Sequence, residues 1–309
     1  MELGIVDLQG PLGEQVAAMD RACRELGFFR LPIDVVDPDI ADAAWAAADR
    51  FFALDAVAKR EIEFPEPGYP YGYSPFRAET LARSLDDGAA AADLKESLSV
   101  GPDCGPERAP APGEEWIRSP SLWPRQVPEL RPAWTAYYRA LDEVAAQLMG
   151  VMALALELPA DHFDRLIDRP ITSMRAIRYP AGGRDPGPAL RAGAHSDYGT
   201  FTILRTDSVP GLEIERPDGT WVAVEPDVDH FVVNLGDTIA QWTNDRWRST
   251  VHRVVPGVAP RQSFAFFHMA NWDAVIECLP TCLIAGEAPR HDPVQAGPWL
   301  MRKFQAPVS

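Results

Sequence analysis

Residues 194–214 read AHSDYGTFTILRTDSVPGLEI, and this stretch decides the fold. Thr200 to Thr206 is a short run rich in β-branched and aromatic residues. Asp207, Ser208, Pro210 and Gly211 then supply turn chemistry before a second short run, Leu212 to Arg216. The same texture continues on both sides, in SMRAIRY (173–179), WVAVE (221–225), HFVVNLG (230–236), STVHRVV (249–255) and SFAFFHM (263–269). Short strands at such even spacing predict a mostly antiparallel second half, arranged as a sandwich or jelly roll.

Upstream the period changes from two to about 3.6. Leu12, Val16, Met19, Cys23 and Leu26 mark an amphipathic helix over 12–26, with Gly27 as its stop. The alanine-rich segment Ile40 to Ala58 predicts a second helix, and Trp134 to Leu158 the longest one. Residues 65–77, PEPGYPYGYSPFR, read as a loop because Pro and Gly recur, and Tyr69, Tyr71, Tyr73 and Phe76 make it a plausible pocket wall. Leu85 to Ala92 reads as a flexible connection into a short strand at Asp93–Glu96, and 102–128 as a proline-rich traverse. The expectation is an α+β chain with a mainly β core and helices packed on one face. Residues 1–125 would form an amino-terminal helical and loop region. Residues 126–309 would form the jelly-roll core with its long supporting helix and closing helix, the two parts making one structural unit.

The 309 residues carry a formal net charge of −16, with 46% apolar residues, nine tryptophans and thirty prolines. No basic run offsets the acidity, so neither nucleic acid nor an anionic membrane surface is an expected partner. The start, MELGIVDLQGPLGEQ, lacks the features of a secretory signal, and no apolar stretch is long enough to span a bilayer, so a cytoplasmic location is expected. Cys23, Cys104, Cys278 and Cys282 are scattered and read as structural thiols. Cys278 and Cys282 resemble half a zinc site that lacks its second half.

His195 and Asp197 stand two apart at the edge of a strand-like run, and in an extended chain such residues point to one side. His-x-Asp alone is a weak signal. His252, in STVHRVV, offers a third donor that a jelly roll can bring to the same open end. Two imidazoles and one carboxylate make a facial triad that leaves positions open for further ligands, whereas a structural zinc takes four protein ligands. Nine residues beyond His252, Arg261 and Ser263 share a strand face, and a planar guanidinium beside a hydroxyl suits a carboxylate. An internal ion pair to Arg261 is the competing reading.

These motifs resemble those of the isopenicillin N synthase-like 2-oxoglutarate/Fe(II) oxygenases. The resemblance rests on residues 194–214, on FVVNLGDTIAQWTNDRWRSTVHRVV (231–255) and RQSFAFF (261–267), and on DLKESLSVGP (93–102), SLWP (121–124) and AGPWLMRKFQ (296–305), all in the family's order. It implies a distorted double-stranded β-helix with Fe(II) on His195, Asp197 and His252. It also implies that Arg261 and Ser263 hold the distal carboxylate of 2-oxoglutarate, with Tyr179 reaching the same cosubstrate. O2 would be the second cosubstrate, succinate and CO2 the by-products, and a small, specialised metabolite the substrate, hydroxylated or desaturated. One departure is Ile177, where many plant members have asparagine. Isopenicillin N synthase and aminocyclopropane carboxylate oxidase share the iron motifs without using 2-oxoglutarate, so a cosubstrate-independent oxidase is the alternative within the family. A metal-free binding protein on the same fold, or a zinc hydrolase, would be the alternatives outside it.

For substrate contact the sequence nominates Tyr71, Tyr73, Arg77, Arg175, Leu204, Trp242 and Phe266. His162, His230, His268 and His291 read as surface or supporting groups. Asn234, Gly236 and Asp237 read as a turn between core strands with no chemistry of their own.

Overall fold

The computed structural model describes residues 2–66, 68–80, 91–102, 110–181, 189–284 and 286–305. Cys104 and most of the Leu85–Ala92 run lie outside these. α1 (Leu12–Glu25) buries Met19, Ala22 and Cys23 along one stripe. Gly27 follows at φ +65°, where a Cβ would collide with the Arg248 carbonyl, so only glycine suits this stop. The strand β1 (Phe28–Pro32) comes next and was not anticipated. The expected helix from Ile40 to Ala58 is in fact two, α2 (Pro38–Phe52) and α3 (Ala56–Arg60). Asp37 caps the first by accepting from the Asp39 N–H at 2.9 Å, and Asp55 restarts the chain by accepting from the Ala58 N–H at 2.8 Å. Apolar periodicity runs through that second cap and hides it.

The aromatic stretch read as pure loop contains a strand, β2 (Gly72–Ser74), which pairs with β3 (Glu96–Val100). α4 (Leu130–Ala155) is the long helix, followed by the short α5 (Asp164–Ile167). Then come β4 (Ser173–Tyr179), β5 (Ala192–His195), β6 (Phe201–Thr206), β7 (Leu212–Glu215), β8 (Trp221–Ala223) and β9 (His230–Leu235). After α6 (Asp237–Trp242), β10 (His252–Val254) and β11 (Arg261–His268), the chain closes with β12 (Val275–Ile276), β13 (Val294–Gln295) and α7 (Ala296–Gln305).

The strands pair antiparallel into a seven-stranded sheet of order β1-β9-β6-β11-β4-β3-β2 and a four-stranded sheet of order β5-β10-β7-β8, with β12 and β13 as a separate ribbon. This is the expected jelly-roll class, built as two facing sheets that do not close into a barrel. The alternation along β11 explains how it is layered. Gln262, Phe264, Phe266 and His268 take one face, and Arg261, Ser263, Ala265 and Phe267 the other. Phe264 packs within 5.1 Å of Trp134 and 5.8 Å of Tyr137, and Phe266 within 5.1 Å of Tyr138, so the first face is sealed by α4. The second face looks toward the small sheet. There Phe28, Val232 and Leu204 meet Leu212 and Ile214, and Tyr179 meets Ala192 and Val254, leaving a cavity where the two sheets splay. Among the described residues, no helix is long and apolar enough to cross a membrane.

His268, read from sequence as a surface or supporting group, is not at the surface: it is 1% exposed, stacked on Phe201 with ring centroids 4.8 Å apart. Burial depresses its pKa from 6.5 to about 3. Below pH 6.5 the unfolded chain therefore binds a proton that the folded chain refuses, and stability falls as the pH drops through this window toward 3. The slope from this residue should approach about 1.4 kcal/mol per pH unit. Chemical denaturation between pH 7 and pH 4 should show a shallower slope for His268→Phe than for the parent. An unchanged slope would mean that His268 is protonated in the folded state.

Candidate metal centre

β5 and β10 are neighbours in the small sheet, and their register sets His195 directly opposite His252. The ring centroids are 4.3 Å apart. Asp197 follows two residues beyond the end of β5 and lies alongside, with Oδ1 3.8 Å from Nε2 of His195 and 4.0 Å from Nε2 of His252. One ligand atom from each of the three lies within 4.8 Å of the others, the single such group of His, Cys, Asp or Glu found among the described residues. Cys278 and Cys282 join no such group.

The orientation of each donor is fixed locally. Nδ1 of His195 lies 2.7 Å from the Gly193 carbonyl and Nδ1 of His252 lies 3.2 Å from the Thr250 carbonyl. A carbonyl only accepts, so both Nδ1 atoms carry a proton and both Nε2 atoms face Asp197. Burial, reinforced by the neighbouring His252, depresses the pKa of His195 to about 3 against the pull of Asp197, so its ring stays neutral at pH 7. Burial pushes the Asp197 carboxyl up. The imidazoles of His252 and His195, with hydrogen bonds from Thr202 and Asn234, outweigh it and hold the group below its ordinary value. A carboxylate and two imidazoles whose ligand atoms converge within 4.8 Å fit a divalent cation of borderline softness.

Asn234 corrects the sequence reading. It lies within β9, one residue before the strand's end, with α6 starting at Asp237, and its Nδ2 donates to Asp197 Oδ2 at 2.7 Å. Thr202 Oγ1 donates to the same oxygen at 2.5 Å. Both donors occupy Oδ2 and leave Oδ1 aimed at the histidines, so Asp197 is set to bind through one oxygen. Gly236 completes the support, since a Cβ there would collide with the Gly199 carbonyl and block the close approach that lets the Asp237 N–H donate to the Asp197 carbonyl at 2.8 Å. Losing one such support costs roughly ten- to a hundredfold in metal affinity in comparable sites. Asn234→Ala should therefore raise the Kd for Fe(II) by that factor in a competition titration with a chelator. Unaltered affinity would remove Asn234 from the site.

The cavity beside the triad has a volume of about 190 Å³. At one end Arg261 sits opposite Tyr179 across β11 and β4, its guanidinium carbon 5.2 Å from the tyrosine ring centroid, with Ser263 one pleat along. Arg261 is 2% exposed. Its Nε donates weakly to the Val209 carbonyl at 3.3 Å, and its Nη1 is buried with no hydrogen-bond partner. Among the described residues no carboxylate lies within ion-pairing distance of it, so the internal ion-pair reading has no support there. A buried guanidinium with an orphaned N–H is an anion site in waiting.

Of the residues nominated for substrate, Arg175 and Leu204 line this cavity, and Tyr71, Tyr73, Arg77, Trp242 and Phe266 do not. The Tyr71 hydroxyl donates to the Ile117 carbonyl and Tyr73 to Glu96. Arg77 is exposed, at φ 64°. Trp242 packs on Phe163, and Phe266 points into the helical layer. For Phe266 the alternation from Ser263 already excluded the cavity face. The cavity also includes Lys95, which sequence reasoning passed over because nothing local marks a buried lysine.

Residues 171–270 match the family model of the 2OG-Fe(II) oxygenase superfamily, and residues 4–126 match the amino-terminal model described as non-haem dioxygenase in morphine synthesis. A 2-oxoglutarate-Fe(II) type oxidoreductase of Emericella nidulans is 33% identical over 286 residues, spanning 90% of this chain and 80% of that protein. A full-length Neurospora crassa protein, crystallised with alpha-KG and thymine, superposes with a TM-score of 0.83 at 28% identity, covering 98% of this chain and 96% of the other. A 2OG-Fe(II) oxygenase family protein from Caulobacter crescentus superposes with a TM-score of 0.85 at 27% identity, covering 98% of each.

Proposed function

The chain belongs to the 2OG-Fe(II) oxygenase superfamily, and from that premise we propose that it oxidises a C–H bond of a compact small molecule, by hydroxylation or desaturation, in the cavity between its two sheets. It is a 2-oxoglutarate-dependent non-haem Fe(II) dioxygenase. Bound Fe(II) and 2-oxoglutarate supply the chemistry: O2 is reduced, 2-oxoglutarate is decarboxylated to succinate and CO2, and the substrate is oxidised.

In this reading His195, Asp197 and His252 would hold the iron, three protein donors that would leave room for further ligands. Arg261 and Ser263 grip the distal carboxylate of 2-oxoglutarate, and Tyr179 forms the wall against which it lies. The orphaned Nη1 of Arg261, buried in the same cavity as the three donors, carries this assignment. The apolar surroundings, Leu204, Leu212, Val254 and Phe267 among them, exclude water and so strengthen each charged contact. Ile177 stands two residues before Tyr179 on the cavity wall and offers no hydrogen bond, so the load on Arg261 and Ser263 is greater. The thymine complex of the Neurospora relative supports a substrate of compact size.

Anaerobic addition of 2-oxoglutarate to the Fe(II)-loaded protein should raise a visible metal-to-ligand charge-transfer band that saturates at one equivalent. No band, or substrate oxidation that proceeds without 2-oxoglutarate, would reject the reading in favour of a cosubstrate-independent oxidase.

A further inference from the structure

Two cations line the cavity that the metal centre and the Arg261 end leave unused. Along β4 the inward row is Tyr179, Ile177, Arg175 and Ser173, so Arg175 lies four residues, about 13 Å, from the Tyr179 position. Arg175 pairs with Ala265 on β11, and the Ile177–Ser263 pair stands between it and the Arg261–Tyr179 pair. Arg175 is a second, independent guanidinium. Its Nε donates to Ser99 Oγ at 2.8 Å and its Nη1 to Glu79 Oε2 at 3.0 Å, and neither of these bonds uses Nη2. Lys95 shares the same Glu79 oxygen at 3.1 Å, reaches Asp93 Oδ2 at 3.3 Å, and has a side chain only 2% exposed. The Gly193 N–H in turn donates to Asp93 Oδ1 at 2.9 Å, which ties the cluster to the strand that carries His195.

The cluster is polarised. Its two carboxylates lie behind, outside the cavity lining, and its two cations lie on it. Burial works against ionisation of Glu79, but Arg175 and Lys95 hold its carboxyl down at about 2, so the scaffold of the cluster stays charged. Buried Lys95 and half-buried Arg175, which line the cavity beside the apolar Leu204, Phe267 and Met269, offer hydrogen-bond donors and carry no acceptor of their own. An amine would meet like charge there, and a pure hydrocarbon would leave the donors desolvated and unmatched.

We infer that Arg175 and Lys95 form the recognition element for the primary substrate, and that the substrate places an oxygen acceptor, a carboxylate or a carbonyl, against them while its apolar body faces the metal. The inference rests on the oxygenase reading of the same cavity. It assigns the substrate's chemistry where the family assigns only the reaction.

Four probes that share one ring and differ in one group test it: benzoate, benzamide, benzylamine and toluene, each added to the full-length protein loaded with Fe(II) and 2-oxoglutarate under nitrogen. Binding is read by ligand-detected NMR and by the shift of the charge-transfer band. Benzoate or benzamide should bind at least roughly tenfold more tightly than the other two. Preference for benzoate assigns a carboxylate, and preference for benzamide a carbonyl. Arg175→Gln should erase that preference while titrating with 2-oxoglutarate as the parent does, and Arg175→Lys should restore part of it. Equal binding of toluene or benzylamine, no binding of any probe, or an Arg175→Gln variant that keeps the preference would overturn the inference. Absence of the charge-transfer band in the parent protein would instead overturn the oxygenase reading, so the two failures are distinguishable.

Discussion

Replacing Asp197 with alanine should leave a folded protein that no longer retains Fe(II) and forms succinate on the order of a thousandfold more slowly, or worse. Asp197 supplies the negative charge of the donor set and sits closest to both imidazoles, with Oδ1 3.8 and 4.0 Å from their Nε2 atoms. Its loss removes one ligand and leaves the cation's charge balanced by neutral nitrogens alone. It also strands the Thr202 hydroxyl and the Asn234 amide, which point at Oδ2 in a buried setting. Asp197→Asn keeps the shape and an acceptor for those donors but removes the charge. Iron retention that is lost in both variants would therefore assign the effect to charge and not to packing. The measurements are iron stoichiometry after gel filtration and succinate formed per protein. Stoichiometric iron in Asp197→Ala would disprove the metal centre.

Arg261→Met should weaken 2-oxoglutarate binding by roughly a hundredfold to a thousandfold, the range expected when one member of a buried charge pair is deleted. The stability of the cosubstrate-free protein should move the other way. Nη1 of Arg261 is buried without a partner, so removing the guanidinium relieves an uncompensated burial, and the thermal midpoint should hold or rise. The parent protein should gain stability when 2-oxoglutarate is added, because a ligand that binds only the folded state shifts the equilibrium. The variant should not gain at the same concentration. Arg261→Lys retains charge without the planar fork and should fall between. A variant that is destabilised without ligand and equally stabilised by 2-oxoglutarate would show Arg261 to be a structural cation with no role at the cosubstrate.

Much of this was visible one residue at a time because it depends on strand geometry. A period of two puts His195 with Asp197 and Arg261 with Ser263 on shared faces, and the same rule places Phe266 on the helical side. The helices at 12–26 and 134–158 were legible because apolar stripes of that length have no strand interpretation. Errors came where one residue type serves two purposes. Asp55 looked like a polar position on one long helix and is the cap of a second. Gly72 to Ser74 looked like loop because glycine and proline surround them, and they form an edge strand. Asn234 looked like a turn residue, and its amide is spent on the metal ligand.

By itself the chain's order of residues determined the strand-rich second half, the donor types and their faces, since these follow from backbone periodicity within a few positions. Tertiary structure alone decided that β5 and β10 lie side by side, that Asn234 and Thr202 share one oxygen of Asp197, and that Lys95 and Arg175 lean on Glu79 beside the cavity. Those contacts join residues 5 to 96 positions apart, and most are long-range pairings chosen by which faces bury together, a choice that no local pattern records.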